Sequence, residues 1–224
     1  GTLVRLFLKK DAKDYADCEK VKAITKKNSD HISVGLHIQD KDGKQEQVNS
    51  AEALWTRASK DITKDEYKGF YQSQFGAYDD PYVTLHNRSE GTLEFTNLLF
   101  VPSTAPFDLF DPERKSKLNL YINRVFITND LDAILPKWLR FIQGVLDTSS
   151  LDLNVSRELV QSSPVLGKIK KVITKRVISE LKKAMKKDPK AYDDFWEQFG
   201  KVLKEGLYED LENREKVSDI TRVF

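Results

Sequence analysis

The sequence predicts an α/β fold that ends in long helices. Near its start, residues 2–9 alternate β-forming with polar side chains, and Asp11 opens a charged helical run to about Lys27. Strand-like segments recur as far as residue 128. From Leu166 to Met185 the apolar positions keep a helical period, with lysines and arginines on the opposite face. This succession of strands and helices is typical of the α/β class.

Two signals in the first half are short and specific. Residues 31–38 alternate with period two and run into the DKDG turn at 40–43, which is typical of a hairpin. Thr63 and Glu66 have the spacing of a capping box, in which each side chain accepts a hydrogen bond from the backbone of the other residue. We therefore expect a helix from there to about Phe75.

The next elements are predicted to be strands and one short helix. Glu90-Gly91 is expected to form a tight turn between the first two of three strands: 82–87, 92–101 and 118–128. Pro136 stands where a helix would begin and Gly144 where it would end. The sequence PKWLRFIQG is therefore predicted to be helical.

The C-terminal part is predicted to be helical. Ser163-Pro164 begins an amphipathic helix of about six turns. At the Asp188-Pro189 step the pattern changes to helices with aromatic residues on one side, so we place the boundary between two subdomains, 1–187 and 188–224, there. Gly206 is expected to break the second helix, and a last helix is expected from about Leu211.

Charge and composition exclude several classes of function. The 37 Lys+Arg and 35 Asp+Glu residues give a net charge of +2, too small a field to gather nucleic acid or a membrane surface. No long apolar run and no signal-peptide pattern occurs. Cys18 is the only cysteine, so no intramolecular disulfide forms, and a reducing compartment is expected. The first residue is not methionine and the last residues are polar and helix-like, so we expect a piece of a longer polypeptide.

Residues 151–166, LDLNVSRELVQSSPVL, carry the strongest chemical signal. Arg157 and Gln161 would share a face of a helix, because side chains four residues apart are neighbours there. A guanidinium beside an amide can bind phosphate oxygens. The segment lacks a glycine-rich loop, a metal-ligand cluster and a strong base, so it would be half of a site that another domain completes. Spacing alone slightly favours the alternative, in which Arg157 is a structural ion-pair partner of a nearby acid.

The sequence carries no signature of an independent enzyme. His31, His37 and His86 are the only histidines, and no acidic or sulfur ligand joins them to complete a set of four, so we expect ordinary strand residues and not a metal site. The nucleophile-elbow, zinc-protease and phosphate-loop motifs are absent. We therefore expect no metal, no cofactor and no ATPase activity for this chain alone.

The proline-rich loop VPSTAPFDLFDPERKSK, residues 101–117, is the second candidate site. Its prolines limit how far Phe107, Leu109 and Phe110 can be buried, so some of them are expected to form an exposed apolar surface. The equal alternative is that they cap the core of their own sheet. For Trp55, in the short apolar cluster ALW, composition favours a core position.

Six segments together resemble the heat shock protein 90 chaperone family, including its bacterial form. They follow the family's order along nearly the whole chain: ALWTR at 53–57, DEYKGFY at 65–71, LLFVPSTAPFDLF at 98–110, LYINRVFITND at 120–130, LPKWLRFIQGVLD at 135–147 and LNVSRELVQ at 153–161. So many ordered matches are far more specific than any short motif.

The resemblance implies the fold of the family's middle segment. This is a three-layer α-β-α sandwich of the ribosomal protein S5 domain 2-like type, with a mixed sheet. A long amphipathic helix and a small helical coil follow it. Residues 1–187 would be the large sandwich subdomain and 188–224 the helical coil. The family's nucleotide-binding domain, its second small sandwich and its dimerising domain have no counterpart in these residues.

The resemblance also gives roles to residues of LNVSRELVQ, 153–161, which we call the arginine segment. The arginine of the family's S-R-E motif, here Arg157, reaches the γ-phosphate of ATP, which is held with Mg²⁺ in the N-terminal domain. Asn154 would help to bind that phosphate, and Gln161 would support the docking. Arg157 and Gln161 would then be catalytic residues that act only after domain closure. Three apolar residues would pack against the nucleotide domain: Phe126, Leu151 and Leu153.

Client contact is the second role that the resemblance implies. Trp55 and the loop 105–110 match family surfaces that bind unfolded or partly folded proteins; the loop residues concerned are Ala105, Pro106, Phe107, Leu109 and Phe110. The other implied partners are the chain's own N-terminal domain, a second copy through the C-terminal domain, and co-chaperones. The implied location is the cytoplasm or, alternatively, a mitochondrion or other organelle. The alternative from another class is a non-catalytic protein-binding module in which SRELVQ is only structural.

Four residues depart from the family pattern. Ser149 and Ser150 stand where acidic residues are usual, Asp152 where proline is usual, and Asn123 where a basic residue is frequent. They lie near the approach to the arginine segment. We expect them to affect its resting position and not the chemistry of Arg157.

Overall fold

The computed structural model of the chain confirms the α/β class. A mixed sheet is followed by helices, of which α-helix 164–187 is the longest in the described part. The structure describes four stretches of the chain: 1–111, 114–129, 134–152 and 163–222.

Two units of unequal size make up the chain. The first comprises Gly1–Ala53 and Asn123–Ile127, and the second comprises Leu54–Ile122 and Thr128–Phe224. This division falls at other residues than the boundary near Asp188. The predicted subdomains 1–187 and 188–224 therefore stay a prediction.

The first unit has little regular structure. A 3-10 helix, Lys10–Ala16, precedes helix α1, Cys18–Ser29, whose first turn is capped by the Asp17 carboxylate. The helix predicted from Asp11 to Lys27 thus forms in two pieces. Strand β1, His37–Gln39, pairs antiparallel with β2, Gln45–Gln47.

The hairpin at the DKDG turn is confirmed, but the strand expected over 31–38 begins only at His37. The strand predicted at 2–9 is wrong. Asp40 accepts the backbone N–H groups of Asp42 and Lys44 at 3.0 and 2.9 Å, and Gly43 has a φ of 82°. Residues 2–9 are all described, form no strand and have exposed apolar side chains. Alternation produces a strand only where another strand pairs with the backbone and a core covers one face.

Helix α2, Lys64–Phe75, confirms the predicted capping box. Thr63 Oγ1 accepts the Glu66 N–H at 3.2 Å, and Glu66 Oε2 accepts the Thr63 N–H at 2.8 Å. The backbone bond from Thr63, together with the Arg57 guanidinium 2.7 Å away, lowers the pKa of Glu66 to about 2. The helix ends at Gly76, whose φ is 64°.

Five further strands follow along the chain: β3, Pro81–Ser89; β4, Phe95–Pro102; β5, Lys117–Ile122; β6, Val125–Thr128; and β7, Gln143–Thr148. In the second unit the strand order is β3-β4-β7-β5. Strand β7 pairs antiparallel with β4 and parallel with β5. The sheet is therefore mixed, as predicted.

The single strand predicted over 118–128 is wrong, because the chain turns in its middle. Asn123 and Arg124 have φ values of 49° and 66°, and β5 ends just before them. Two consecutive residues with positive φ are typical of the tight turns between strands. An asparagine there was the only sequence signal for the break.

The helix predicted over 136–144 is also wrong. Only Lys137–Leu139 forms a 3-10 turn, and Gly144 lies inside β7. A Cβ atom on Gly144 would lie 2.4 Å from the carbonyl oxygen of Leu98. The glycine therefore serves the close approach of β7 to β4 and does not end a helix.

Three helices complete the second unit: α3, Pro164–Lys187; α4, Pro189–Glu209; and α5, Arg214–Ser218. The long amphipathic helix α3 is confirmed, and Asp188 caps the next helix by accepting the Ala191 N–H at 3.0 Å. The break predicted at Gly206 is wrong, since α4 continues through it. A Cβ there would lie 2.8 Å from the indole of Trp138, so the glycine makes room for this ring.

Candidate functional site

The predicted catalytic residues fall between β7 and α3. Leu153, Asn154, Arg157 and Gln161 lie outside the described residues, so their common helix face and their roles stay predictions. Leu151 is described and half-buried. The structure therefore describes what precedes and follows the arginine segment.

The residues that precede this segment are bound to Glu94, next to β4. Ser150 Oγ accepts the Glu94 N–H at 3.0 Å, and Ser149 Oγ donates to Glu94 Oε2 at 3.0 Å. Thr148 Oγ1 donates to the Glu94 carbonyl at 2.7 Å. An acid at position 149 or 150 would bring a second carboxylate beside that of Glu94, which like charges disfavour. The two serines that depart from the family pattern therefore suit this glutamate.

Asp147, one residue earlier in β7, binds Trp55. Trp55 Nε1 donates to Asp147 Oδ2 at 2.8 Å, and its ring centroid lies 4.8 Å from that of Tyr121 and 6.0 Å from that of Phe70. Trp55 is 1% exposed. The core position that composition favoured is confirmed. The contact surface that the resemblance implies at Trp55 is not available, because this side chain lies inside the second unit.

His86 joins β3 to α2 and to the Trp55 segment. Its Nδ1 lies 2.7 Å from the Tyr67 hydroxyl, and its Nε2 lies 2.9 Å from the Trp55 carbonyl. Because a carbonyl can only accept, Nε2 carries the proton and Nδ1 accepts the hydrogen bond from Tyr67. Burial lowers the pKa of His86 and so favours the neutral ring, which satisfies both bonds.

The predictions for the histidines hold in part. His37 and His86 lie in β1 and β3, but His31 is not in a strand, and its Nδ1 lies 2.8 Å from the Glu52 carbonyl. Within the described stretches no three His, Cys, Asp or Glu side chains are grouped as metal ligands. No helix in those stretches is both long enough and apolar enough to cross a membrane.

The aromatic loop, residues 105–110, exposes two aromatic side chains and buries an aliphatic one. Phe107 is 102% exposed and Phe110 is 53% exposed, whereas Leu109 is 0% exposed. Ala105 and Pro106 are half-buried. Both alternatives for this loop therefore apply, each to different residues. Leu109 caps the core, so its buried side chain does not offer the client contact that was expected of it. Phe107 and Phe110 form the exposed surface.

Asp79 fixes the chain just before the aromatic loop. Its Oδ2 accepts the backbone N–H groups of Ser103 and Thr104 at 2.8 and 3.1 Å. Its Oδ1 accepts the hydroxyl of Tyr71 at 2.9 Å, and burial raises the pKa of that hydroxyl. Residues 103 and 104, just before the aromatic loop, are thereby linked through Asp79 to α2.

Arg140 fixes the other end of the aromatic loop. Its Nε donates to the Leu109 carbonyl at 2.9 Å, and its two terminal nitrogens bind both carboxylate oxygens of Glu205 at 2.5 and 2.8 Å. The hydrogen bonds to Glu205 raise the pKa of Arg140. A second buried guanidinium, that of Arg114, pairs with Asp108 inside the loop.

Helix α4 contributes two more contacts to the aromatic loop. Gln198 Oε1 accepts the Ala105 N–H at 3.2 Å, and Lys201 Nζ lies 5.9 Å from the centroid of the Phe110 ring. Sequence reasoning did not single out Gln198, Lys201 or Glu205. Their spacing of three and four residues along one helix was the available signal, because such residues share a face.

Phe126 lies in the first unit, in β6, and is half-buried. Its predicted packing against a nucleotide domain stays a prediction, like that of Leu151 and Leu153.

Comparisons with known proteins agree with this fold. A family model described as Hsp90 protein matches residues 8–224. Chaperone protein HtpG of Orientia tsutsugamushi is 50% identical over 220 residues, which cover 98% of this chain and 35% of that protein. HtpG of Roseobacter denitrificans is 50% identical over 222 residues, with 99% and 35% covered. A Plasmodium falciparum middle domain, described as part of a heat shock protein, has a TM-score of 0.67 and 31% identity over 75% of this chain and 65% of its own.

The mixed sheet with its long following helices is the fold of a chaperone middle domain. The chain belongs to the Hsp90 family. It spans 35% of the length of the curated HtpG relatives named above.

Proposed function

We propose that this chain is the client-contacting middle segment of an ATP-dependent chaperone, with Phe107 and Phe110 as the side chains that touch unfolded protein. The observation that carries the proposal is the exposure of Phe107, 102%, on a loop whose neighbour Leu109 is 0% exposed. An aromatic side chain held fully in water is a ready contact for the apolar segments that an unfolded chain exposes.

The size of the effect follows from the exposed area. Covering a phenylalanine side chain is worth about 1.5–3 kcal/mol, and each 1.4 kcal/mol is about tenfold in affinity. Phe110 is partly covered already, so we expect it to contribute less than Phe107.

The test compares two variants of this chain. Phe107→Ala is expected to weaken binding of reduced, carboxymethylated α-lactalbumin, which stays unfolded without denaturant, by about tenfold or more. Tyr78→Ala is the matched control, because Tyr78 is an aromatic side chain of the same unit that is 101% exposed and lies outside the aromatic loop. Equal affinity of the Phe107→Ala variant and the unchanged chain would reject the proposal.

We propose in addition that Arg157 completes the ATPase site of the whole protein. Family membership and the S-R-E sequence support this role. The hydrogen bonds that Ser149 donates to Glu94 and that Ser150 accepts from it support a fixed origin for the arginine segment. ATP with Mg²⁺ would be held by the N-terminal domain, and a guanidinium delivered to the γ-phosphate would stabilise the charge that develops there. Asn154 and Gln161 would assist it.

The test of this second role uses the full-length protein. Arg157→Ala is expected to lower ATP turnover about a hundredfold or more, as the loss of other phosphate-binding arginines does. Arg88→Ala is a suitable control, since Arg88 is exposed and paired with Glu90. Turnover within a few-fold of normal in a folded Arg157→Ala protein would favour a non-catalytic binding module.

The remaining partners belong to the same proposal. Phe126, Leu151 and Leu153 would meet the N-terminal domain when it closes on this segment. A homodimer through the C-terminal domain, co-chaperones and a cytoplasmic location, or alternatively an organelle, follow from the family rather than from any contact described above.

A further inference from the structure

We propose that Gln198, Lys201 and Glu205 are positioning residues that hold the aromatic loop with Leu109 buried and Phe107 exposed. The inference rests on the proposed client-binding function and adds to it the part of the fold that prepares the site. It assigns a role to one face of α4.

Each of the three side chains meets a different point of the loop. Gln198 accepts the Ala105 N–H at 3.2 Å, at the beginning of the loop. Lys201 lies 5.9 Å above the Phe110 ring, at its end. Glu205 acts through Arg140, whose guanidinium it holds with two hydrogen bonds.

The guanidinium of Arg140 connects Glu205 to the loop backbone, because it is bonded to the Glu205 carboxylate and to the Leu109 carbonyl at the same time. Because the guanidinium is planar and rigid, binding its terminal nitrogens to a carboxylate also sets the direction of Nε–H. That N–H donates to the Leu109 carbonyl at 2.9 Å. Lysine could not replace arginine here, since it has no second donor in a fixed direction.

The support behind the three residues is well packed. On the buried side of α4, Phe195 stacks on Tyr82 with centroids 4.9 Å apart, and Phe199 lies 4.8 Å from Phe141. Both α4 phenylalanines are at most 2% exposed. The polar face of α4 is therefore fixed relative to the sheet of the same unit, and so are the contacts that it makes to the loop.

The physical consequence is a lower entropic penalty on binding. Without these contacts the loop could sample conformations in which Phe107 folds back onto its own apolar neighbours. A partner would then have to order the loop, which costs about 0.5–1.5 kcal/mol for each immobilised side chain. With the contacts in place, the ring is already presented to the partner.

The experiment combines affinity with loop mobility. The triple variant Gln198→Ala/Lys201→Ala/Glu205→Ala is expected to bind reduced, carboxymethylated α-lactalbumin about fivefold to tenfold more weakly. The control, Lys190→Ala/Glu197→Ala, also leaves the net charge unchanged and alters exposed residues of the same helix.

Mobility is read from a nitroxide on Phe107→Cys in a Cys18→Ser background. In the triple variant its spectrum is expected to sharpen, and in the control it is expected to stay as in the parent. Gln198→Glu keeps an accepting oxygen and is expected to retain the affinity that Gln198→Ala loses. Thermal unfolding of each variant identifies those that remain folded at the temperature of measurement.

The outcomes separate the two proposals. Undiminished affinity of Phe107→Ala would reject the client site itself. A weakened Phe107→Ala together with a triple variant that binds normally would overturn the positioning role and leave the client site standing. The positioning role would also be overturned if the triple variant lost affinity without any change in label mobility.

Discussion

Leu109→Ala is expected to destabilise the second unit, whereas Phe107→Ala, two residues away, is expected to leave its stability nearly unchanged. Leu109 is 0% exposed and Phe107 is 102% exposed. The two residues share a loop and similar apolarity, so the comparison isolates burial as the cause.

The magnitude for Leu109 follows from the lost burial and from the cavity left behind. Truncating a buried leucine to alanine costs about 2–5 kcal/mol, more where the site cannot collapse. Asp79 and Arg140 hold the chain on either side, so little collapse is expected, and we place the cost at about 3 kcal/mol or above. In a protein of this size this lowers the Tm by roughly 6–12 °C. Phe107→Ala should change the free energy of unfolding by at most about 0.5 kcal/mol.

Urea denaturation followed by circular dichroism, with calorimetry for the Tm, measures both effects. Leu109→Met conserves volume and should cost less than about 1.5 kcal/mol, which separates cavity formation from a general intolerance of the site. The reasoning would be refuted by equal destabilisation in the Leu109→Ala and Phe107→Ala variants.

Two further predictions concern glycines and pH. Gly144→Ala should lower the Tm and cost about 2 kcal/mol or more, because the added Cβ would lie 2.4 Å from the Leu98 carbonyl oxygen. Gly69→Ala, in α2, should instead raise stability by about 0.5–1 kcal/mol, because a Cβ added there would meet no atom within 4 Å. For His86, burial lowers the folded-state pKa, so the unfolded chain binds the proton first as the pH falls. The stability that the neutral ring contributes is then fully present above the unfolded pKa of about 6.5 and declines below it. The urea midpoint should therefore change less between about pH 7.5 and 5.5 in the His86→Phe variant than in the unchanged chain.

Elements specified by neighbouring residues could be predicted from the sequence. The capping box of α2 needs only Thr63 and Glu66, which are three residues apart, and both bonds are present. Pro164 and Pro189 each stand in the first turn of a helix, as the preference for proline at that position predicts.

Strand β7 could not be recognised in the same way. It is paired on both edges and has almost every side chain buried, so its sequence lacks the alternation of a half-exposed strand. The preceding proline and the internal glycine then favoured a helix. What decides the conformation is the approach of β4 to Gly144, which local spacing does not reveal.

In the candidate site, too, local features could be predicted from the sequence, whereas features that depend on distant residues could not. That the aromatic loop carries exposed apolar surface was one of two equal alternatives that its prolines and aromatics allowed. Which side chain is exposed could not be predicted, because the loop backbone is bound by Arg140 at the Leu109 carbonyl and by Gln198 of α4 at the Ala105 N–H, both far along the chain. Similarly, the suitability of Ser149 and Ser150 depends on Glu94, more than fifty residues away.

The position of β7 has a consequence for the way the sheet is assembled during synthesis. Strands β3 and β4 are consecutive and can pair as soon as both have left the ribosome. Strand β5 reaches its place only through β7, which is made later than either of its neighbours. Until then the edges of β4 and β5 that β7 will cover are open to other strands, a state in which nascent chains are prone to aggregate. A chaperone segment of this architecture would itself benefit from protection during the interval before residue 148 is available.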